Sequence, residues 1–259
     1  MKDKIRESAF SSPLMTAIAV SLFSVAAFSL SNVYDFGETA KFVIDIVCRA
    51  LAVFFVAYSA KACGFKMFVK PKTGGICLLL FVLGLLVCVN NFPIIGFAAG
   101  NVALQQNARI FRYIVYCTAI GVSEEVVFRG FIMPLVGLKF RDKPRAPFLT
   151  VLVTSAIFSL CHIFNIFSAG VLPTVLQVGY TFLTGGLFGI VYLFSENLVF
   201  PIILHTVFDL GGLIFSAPFG IAAGNMWDVY TVIITAALGV IATAVFVFAL
   251  WNYKPNSKN

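Results

Sequence analysis

Eight apolar runs follow one another along this chain, with only short polar segments between them: roughly 13–31, 42–60, 76–97, 109–138, 147–167, 172–194, 198–216 and 227–252. About 17–25 residues of helix are needed to cross the hydrocarbon of a bilayer, and each run is near or above that length. The expected fold is therefore all-α, a polytopic transmembrane helix bundle of about eight spans, forming a single integral membrane domain over 1–259. Composition agrees: 60% of the chain is hydrophobic and 11% charged, whereas about a quarter of a soluble domain is charged.

The charges are few enough to be read by position. The formal net charge is +7, but most Lys and Arg sit in the short segments between apolar runs, which is a topology signal. Lys61, Lys66, Lys70 and Lys72 follow the second run, Lys139, Arg141, Lys143 and Arg145 the fourth, and Lys254 and Lys258 the eighth. The segments 91–108, 168–171 and 217–228 carry no positive charge. The positive-inside rule then puts both termini in the cytoplasm, N-in and C-in. The "SEN" turn between the sixth and seventh runs has neither Lys nor Arg, but it is short. Lys2, Lys4 and Arg6 resemble the start of a signal peptide, yet seven further runs follow, so a retained first helix is expected. The polar 139–147 stretch is expected to turn between helices. There is no glycine-rich phosphate loop and no basic stripe interleaved with aromatics, so no nucleic-acid partner is expected. The lipid bilayer is the expected surrounding, in the plasma membrane if the source is bacterial.

The six cysteines, Cys48, Cys63, Cys77, Cys88, Cys117 and Cys161, form no CxxC and most lie inside apolar runs. There a thiol behaves as a small hydrophobe. Cys161 adjoins His162, but neighbours on a helix point about 100° apart, which is unsuited to a Cys–His dyad.

Ionisable groups inside a span cost ~2.5–3.5 kcal/mol each on insertion scales and are functional candidates by default. The second run holds Asp45 and Arg49 at i,i+4, read as a structural ion pair. The fourth holds Glu124, Glu125 and Arg129, the fifth His162, and the seventh His205 and Asp209. Glu125 and Arg129 share a face at i,i+4, so Arg129 can neutralise Glu125, while Glu124 is rotated about 100° away and free for other neighbours. Phe158 and His162 share a face, as do His205 and Asp209. From a rise of about 1.5 Å per residue, these groups fall within roughly 10 Å of mid-span and can meet in one cavity. A carboxylate in a low-dielectric cavity can act as a base, and imidazoles can orient water and stabilise an oxyanion. The set suits attack of water on an amide carbonyl.

Three stretches also resemble a known family. "EEVVFRG" is similar to the EExxxR motif of the CPBP family, the CAAX proteases and bacteriocin-processing enzymes also called Abi. "FSLCH" at 158–162 resembles its FxxxH motif, and "HTVFD" at 205–209 its Hxxx motif followed by Asn or Asp. The likeness covers about 115–212, with the catalytic core expected over 109–216, the fourth to seventh runs. It implies an α-helical intramembrane endopeptidase. Glu124 would be the base that activates water, His162 would help position that water, and His205 and Asp209 would stabilise the oxyanion or orient its donors. Glu125 and Arg129 would brace the site, with Phe158 in support. Eukaryotic prenyl-protein peptidases of the family carry Asn where this chain has Asp209. An ionised Asp cannot donate to an oxyanion, so Asp209 would be protonated or would orient His205, which weighs against carrying CAAX chemistry over unchanged. The resemblance implies a membrane-associated peptide substrate: a prenylated tail, a leader peptide or a bacteriocin precursor.

Glu124, His162 and His205 also resemble a His₂Glu zinc set, and the family is often called metalloproteases. The chain lacks HExxH and any His pair at i,i+4, so the reading is Glu-activated water with no required cofactor. If a divalent metal such as zinc binds, these three residues are its expected ligands. Two rivals belong to other classes: a non-catalytic membrane immunity or peptide-binding protein, and a transporter. The first would be free to lose one of the three groups. The second would show broken helices in repeated halves, and no internal repeat is evident.

Overall fold

Proline and glycine decide where the apolar runs break. The computed structural model describes residues 2–32, 37–216, 218–224 and 229–253. The basic N-terminal segment forms its own helix, α1 (Lys2–Ser11), and meets α2 (Pro13–Ser29) at 108°. Ser12 between them is non-helical, with φ −143° and ψ 70°, and Pro13 opens α2. Proline disfavours helix in the residue before it and suits a first helical turn, so the bend falls here. The second run is α3 (Gly37–Cys63). The third is cut by Pro93 into α4 (Gly75–Val89) and the short α5 (Ile94–Ala98).

The fourth run contains a break that its apolar pattern hides. It is α6 (Ile110–Val127), a π turn (Phe128–Ile132), and α7 (Met133–Phe140). Pro134 in the first turn of α7 has no N–H and its ring crowds the carbonyl four residues back. The turn upstream widens, and the Met133 N–H donates to the Phe128 carbonyl, the five-residue step of a π-helix. The remaining helices are α8 (Ala146–Leu160), α9 (Ile166–Ala169), α10 (Val171–Ser195), α11 (Val199–Gly212) and α12 (Val229–Trp251). A 3₁₀ turn, Cys161–Asn165, separates α8 from α9.

Helical segments thus occupy all eight apolar runs, and the fold is all-α. Among the described residues, three segments suffice by length and composition to cross a membrane: Ala146–Ala169, Val171–Ser195 and Val229–Trp251. The bent α1–α2 pair makes a fourth if it is one span. The other runs fall short for visible reasons. Helices α4 and α11 have 15 and 14 residues, and α3 and α6 carry charges. A two-stranded antiparallel ladder joins Val102–Leu104 (β1) to Ala222–Gly224 (β2), with Val102 opposite Gly224. Three-residue strands leave no period-2 pattern to read, so the sequence gives no sign of them.

Small residues set the helix spacing around the core. A Cβ at Gly121 on α6 would lie 2.6 Å from Thr206 Oγ1 and 3.0 Å from its backbone nitrogen on α11. These two helices therefore touch backbone to backbone, as small residues allow in membrane bundles. Gly185 on α10 plays the same part against Phe158 of α8, 2.9 Å from a built Cβ.

The basic segments gather at one end of the bundle. Phe10 of α1 stacks on Phe65 in the loop after α3, ring centroids 6.1 Å apart. That loop is strapped to the α10–α11 turn: the Leu198 N–H donates to the Met67 carbonyl at 3.0 Å, and the Lys72 N–H to Ser195 at 2.9 Å. Lys72 Nζ pairs with Glu196, so the "SEN" turn, which has no Lys or Arg of its own, lies against a lysine of the neighbouring loop. Arg145, after α7, lies 3.4 Å over the Trp251 ring at the end of α12.

Candidate active site

The two adjacent glutamates of α6 part as helical rotation requires. Glu125 is fully buried. Its Oε1 accepts from Arg129 Nη1 at 2.7 Å and from His205 Nδ1 at 2.7 Å. Arg129 Nη2 donates to the Gly185 carbonyl at 2.8 Å, which ties α10 to the pair. The guanidinium also lies over two rings, 4.9 Å from Phe158 and 5.6 Å from Phe188. The predicted Glu125–Arg129 pair is therefore present, and it reaches one step further than its helix. Glu125 holds the imidazole of α11.

That hydrogen bond sets the histidine. A carboxylate oxygen only accepts, so the Nδ1 of His205 carries the proton and Nε2 faces the other way. There Nε2 lies 3.7 Å from Glu124 Oε2 and 3.6 Å from Asp209 Oδ2. The Asp209 backbone is itself steadied, because the Tyr113 hydroxyl contacts its carbonyl at 3.2 Å and that of Leu210 at 2.8 Å. His162 comes from the 3₁₀ turn, not from the regular helix its spacing suggested. Its Nδ1 donates to the Phe158 carbonyl at 3.1 Å. Phe158 stands between the two imidazoles, with ring centroids 5.2 Å from His162 and 6.0 Å from His205, both edge to face.

Glu124, His162, His205 and Asp209 all line one pocket of about 280 Å³. Glu125 and Arg129 do not; they stand behind it. A larger apolar cavity of about 650 Å³ adjoins, bounded mostly by α4, α8, α10, α11 and α12. The two share Tyr180, Thr184, Phe208, Asp209 and Leu213 as common wall. A polar chamber thus opens beside an apolar one of chain-like capacity.

Arg49 also lines the polar pocket, where the sequence reading gave it a structural pair alone. That pair exists, Nε to Asp45 Oδ2 at 2.8 Å. Its Nη1 further donates to Ser123 Oγ at 3.1 Å and stands 3.9 Å from Glu124 Oε1. The signal in the sequence was an arginine placed in the middle of an apolar run.

Among the described residues no group of three or more His, Cys, Asp and Glu could hold a metal ion. One nitrogen of each histidine is engaged, with Glu125 or with the Phe158 carbonyl, which leaves Nε2 of each ring to face the pocket contents.

Residues 106–211 match the family described as Type II CAAX prenyl endopeptidase Rce1-like. The matched segment includes all three motifs and leaves out α1–α5, and with them Arg49. No curated protein and no solved structure matches the chain. The family match supports the CPBP/CAAX protease assignment that the motifs suggested.

Proposed function

We propose, from membership of the CPBP/CAAX protease family, that this chain is an intramembrane endopeptidase. It hydrolyses a peptide bond in a membrane-associated peptide or protein, with water activated by Glu124. The observation that carries this reading is the convergence of Glu124, His162, His205 and Asp209 from three segments on one pocket beside an apolar cavity. Apolar parts of a substrate suit the larger cavity, and the scissile amide suits the polar one.

In the reaction, Glu124 takes a proton from water as the water oxygen bonds to the carbonyl carbon. His162 orients that water. The oxyanion forms near His205 Nε2, which donates to it when the ring carries both protons as the imidazolium, with Glu125 holding Nδ1 from behind. Glu124 then returns the proton to the leaving nitrogen as the C–N bond breaks, giving an acid and an amine. No step is routed through a metal. A substrate can be a prenylated tail, as the family's description suggests, or a leader peptide or bacteriocin precursor.

Base catalysis contributes about 10²–10⁴-fold. Peptides from membranes holding wild type or Glu124→Gln are therefore expected to differ in a set of products at least a hundredfold depleted in the variant. A wild type that cuts nothing Glu124→Gln spares would sink the peptidase reading. Loss of turnover on chelation, restored by zinc, would overturn its metal-free form alone.

The bundle is proposed to cross the bilayer eight times with both termini in the cytoplasm. What supports this is the gathering of the lysine-rich loops, α1 and the end of α12 at one end. Cysteines introduced at 66 and 141 should resist impermeant thiol reagents in intact cells. Labelling from outside would reverse the orientation.

A further inference from the structure

We propose that Arg49 is a positioning residue for the Glu124 carboxylate, so that α3, outside the family-matched segment, completes the site. The inference rests on the peptidase reading. An arginine–aspartate pair buried in an apolar helix is poorly explained by stability, because replacing both members by apolar residues is often neutral or stabilising. The Arg49 guanidinium does more than neutralise Asp45. It spends Nε on Asp45 Oδ2 and Nη1 on Ser123 Oγ, and lies 4.5 Å over the Phe28 ring. Ser123 in turn donates to the Ile120 carbonyl at 3.0 Å. The arginine thus grips α6 one residue before Glu124 while being held on three sides itself.

The two oxygens of Glu124 then face different partners. Oε1 is 3.9 Å from Arg49 Nη1, and Oε2 is 3.7 Å from His205 Nε2. A carboxylate with one oxygen toward a fixed cation cannot turn freely about its last torsion, which is otherwise broad. The other oxygen stays directed into the pocket. Arg49 is placed to act through Glu124.

The test compares Arg49→Met, Arg49→Lys and the doubly neutral Asp45→Asn/Arg49→Met in purified full-length protein. The substrate is a peptide product pair identified by its dependence on Glu124, and the readouts are kcat, KM and melting temperature. Arg49→Met should lower kcat roughly ten- to hundredfold, the scale on which small misplacements act. KM should stay within about threefold, as expected when ground-state binding is untouched. Arg49→Lys, which keeps the cation, should recover most of the loss. The double variant decides between the two roles. If Arg49 served only to neutralise Asp45, removing both charges would restore wild-type kcat and overturn the proposal. If it positions Glu124, the double variant folds and stays slow. Should Arg49→Met alone fail to fold, the double variant carries the same decision. Equal kcat for all three variants and wild type, or equal loss in Lys and Met variants, also overturns it. Absence of any Glu124-dependent cleavage instead removes the peptidase reading, and the role of Arg49 with it.

Discussion

Two ion pairs of the same spacing, Asp45–Arg49 on α3 and Glu125–Arg129 across the end of α6, have opposite surroundings. Both are i,i+4 pairs of buried residues in apolar helices. Arg129 is closed off entirely: its partners are Glu125, the Gly185 carbonyl and two aromatic faces. Through Glu125 it reaches His205. Arg49 instead lines the pocket, and its second donor goes to the residue beside Glu124. The comparison teaches that helical spacing identifies a pair but not its office. One arginine is a brace under the site, and the other is part of the wall.

The largest expected effect breaks the brace. Arg129→Ala leaves the Glu125 carboxylate fully buried with only an imidazole for company, and breaking such a pair costs about 3–5 kcal/mol. A fall in folded yield and melting temperature in detergent is expected, together with slow turnover in the fraction that folds, because His205 loses its fixed partner. Equal melting temperatures for wild type and Arg129→Ala would show that the two pairs do not differ as described.

A smaller effect sharpens the same contrast from the other side. Asp45→Asn keeps an acceptor beside Arg49 and leaves its bonds to Ser123 and Phe28 intact. A cost of about 1–2 kcal/mol is expected, that of one weakened buried hydrogen bond. Turnover should stay near wild type, since Arg49 remains against Glu124. If Asp45→Asn abolishes cleavage without unfolding, Asp45 has a part in the chemistry that the geometry does not assign to it.

Much of this arrangement was legible in the residues. Each apolar run holds helix, although α1 lies ahead of the first run and the third run passed through the break at Pro93. The 100° step between neighbours separated Glu124 from Glu125, and the i,i+4 rule paired Glu125 with Arg129. Other features had no local signal. Apolar patterning ran straight through the π turn before Pro134 and through the 3₁₀ turn that presents His162, because both keep the same composition as the helices around them. The β1–β2 ladder joins residues more than a hundred positions apart, through strands too short to show a period.

By itself, then, the sequence determined the class of molecule and the inventory of its site: a helical bundle of membrane type, with carboxylates and imidazoles on three separate segments. It could do so because cost in hydrocarbon and helical period are local properties of the chain. The tertiary structure decided which groups meet. Gly121 lets α6 and α11 close to backbone contact at Thr206, and that approach delivers His205 to Glu125 and leaves Nε2 facing Glu124. Packing of α3 on α6 delivers Arg49 to Ser123. A helix's own periodicity states which face a residue occupies, but the neighbour on that face is chosen by the packing of helices distant in the chain.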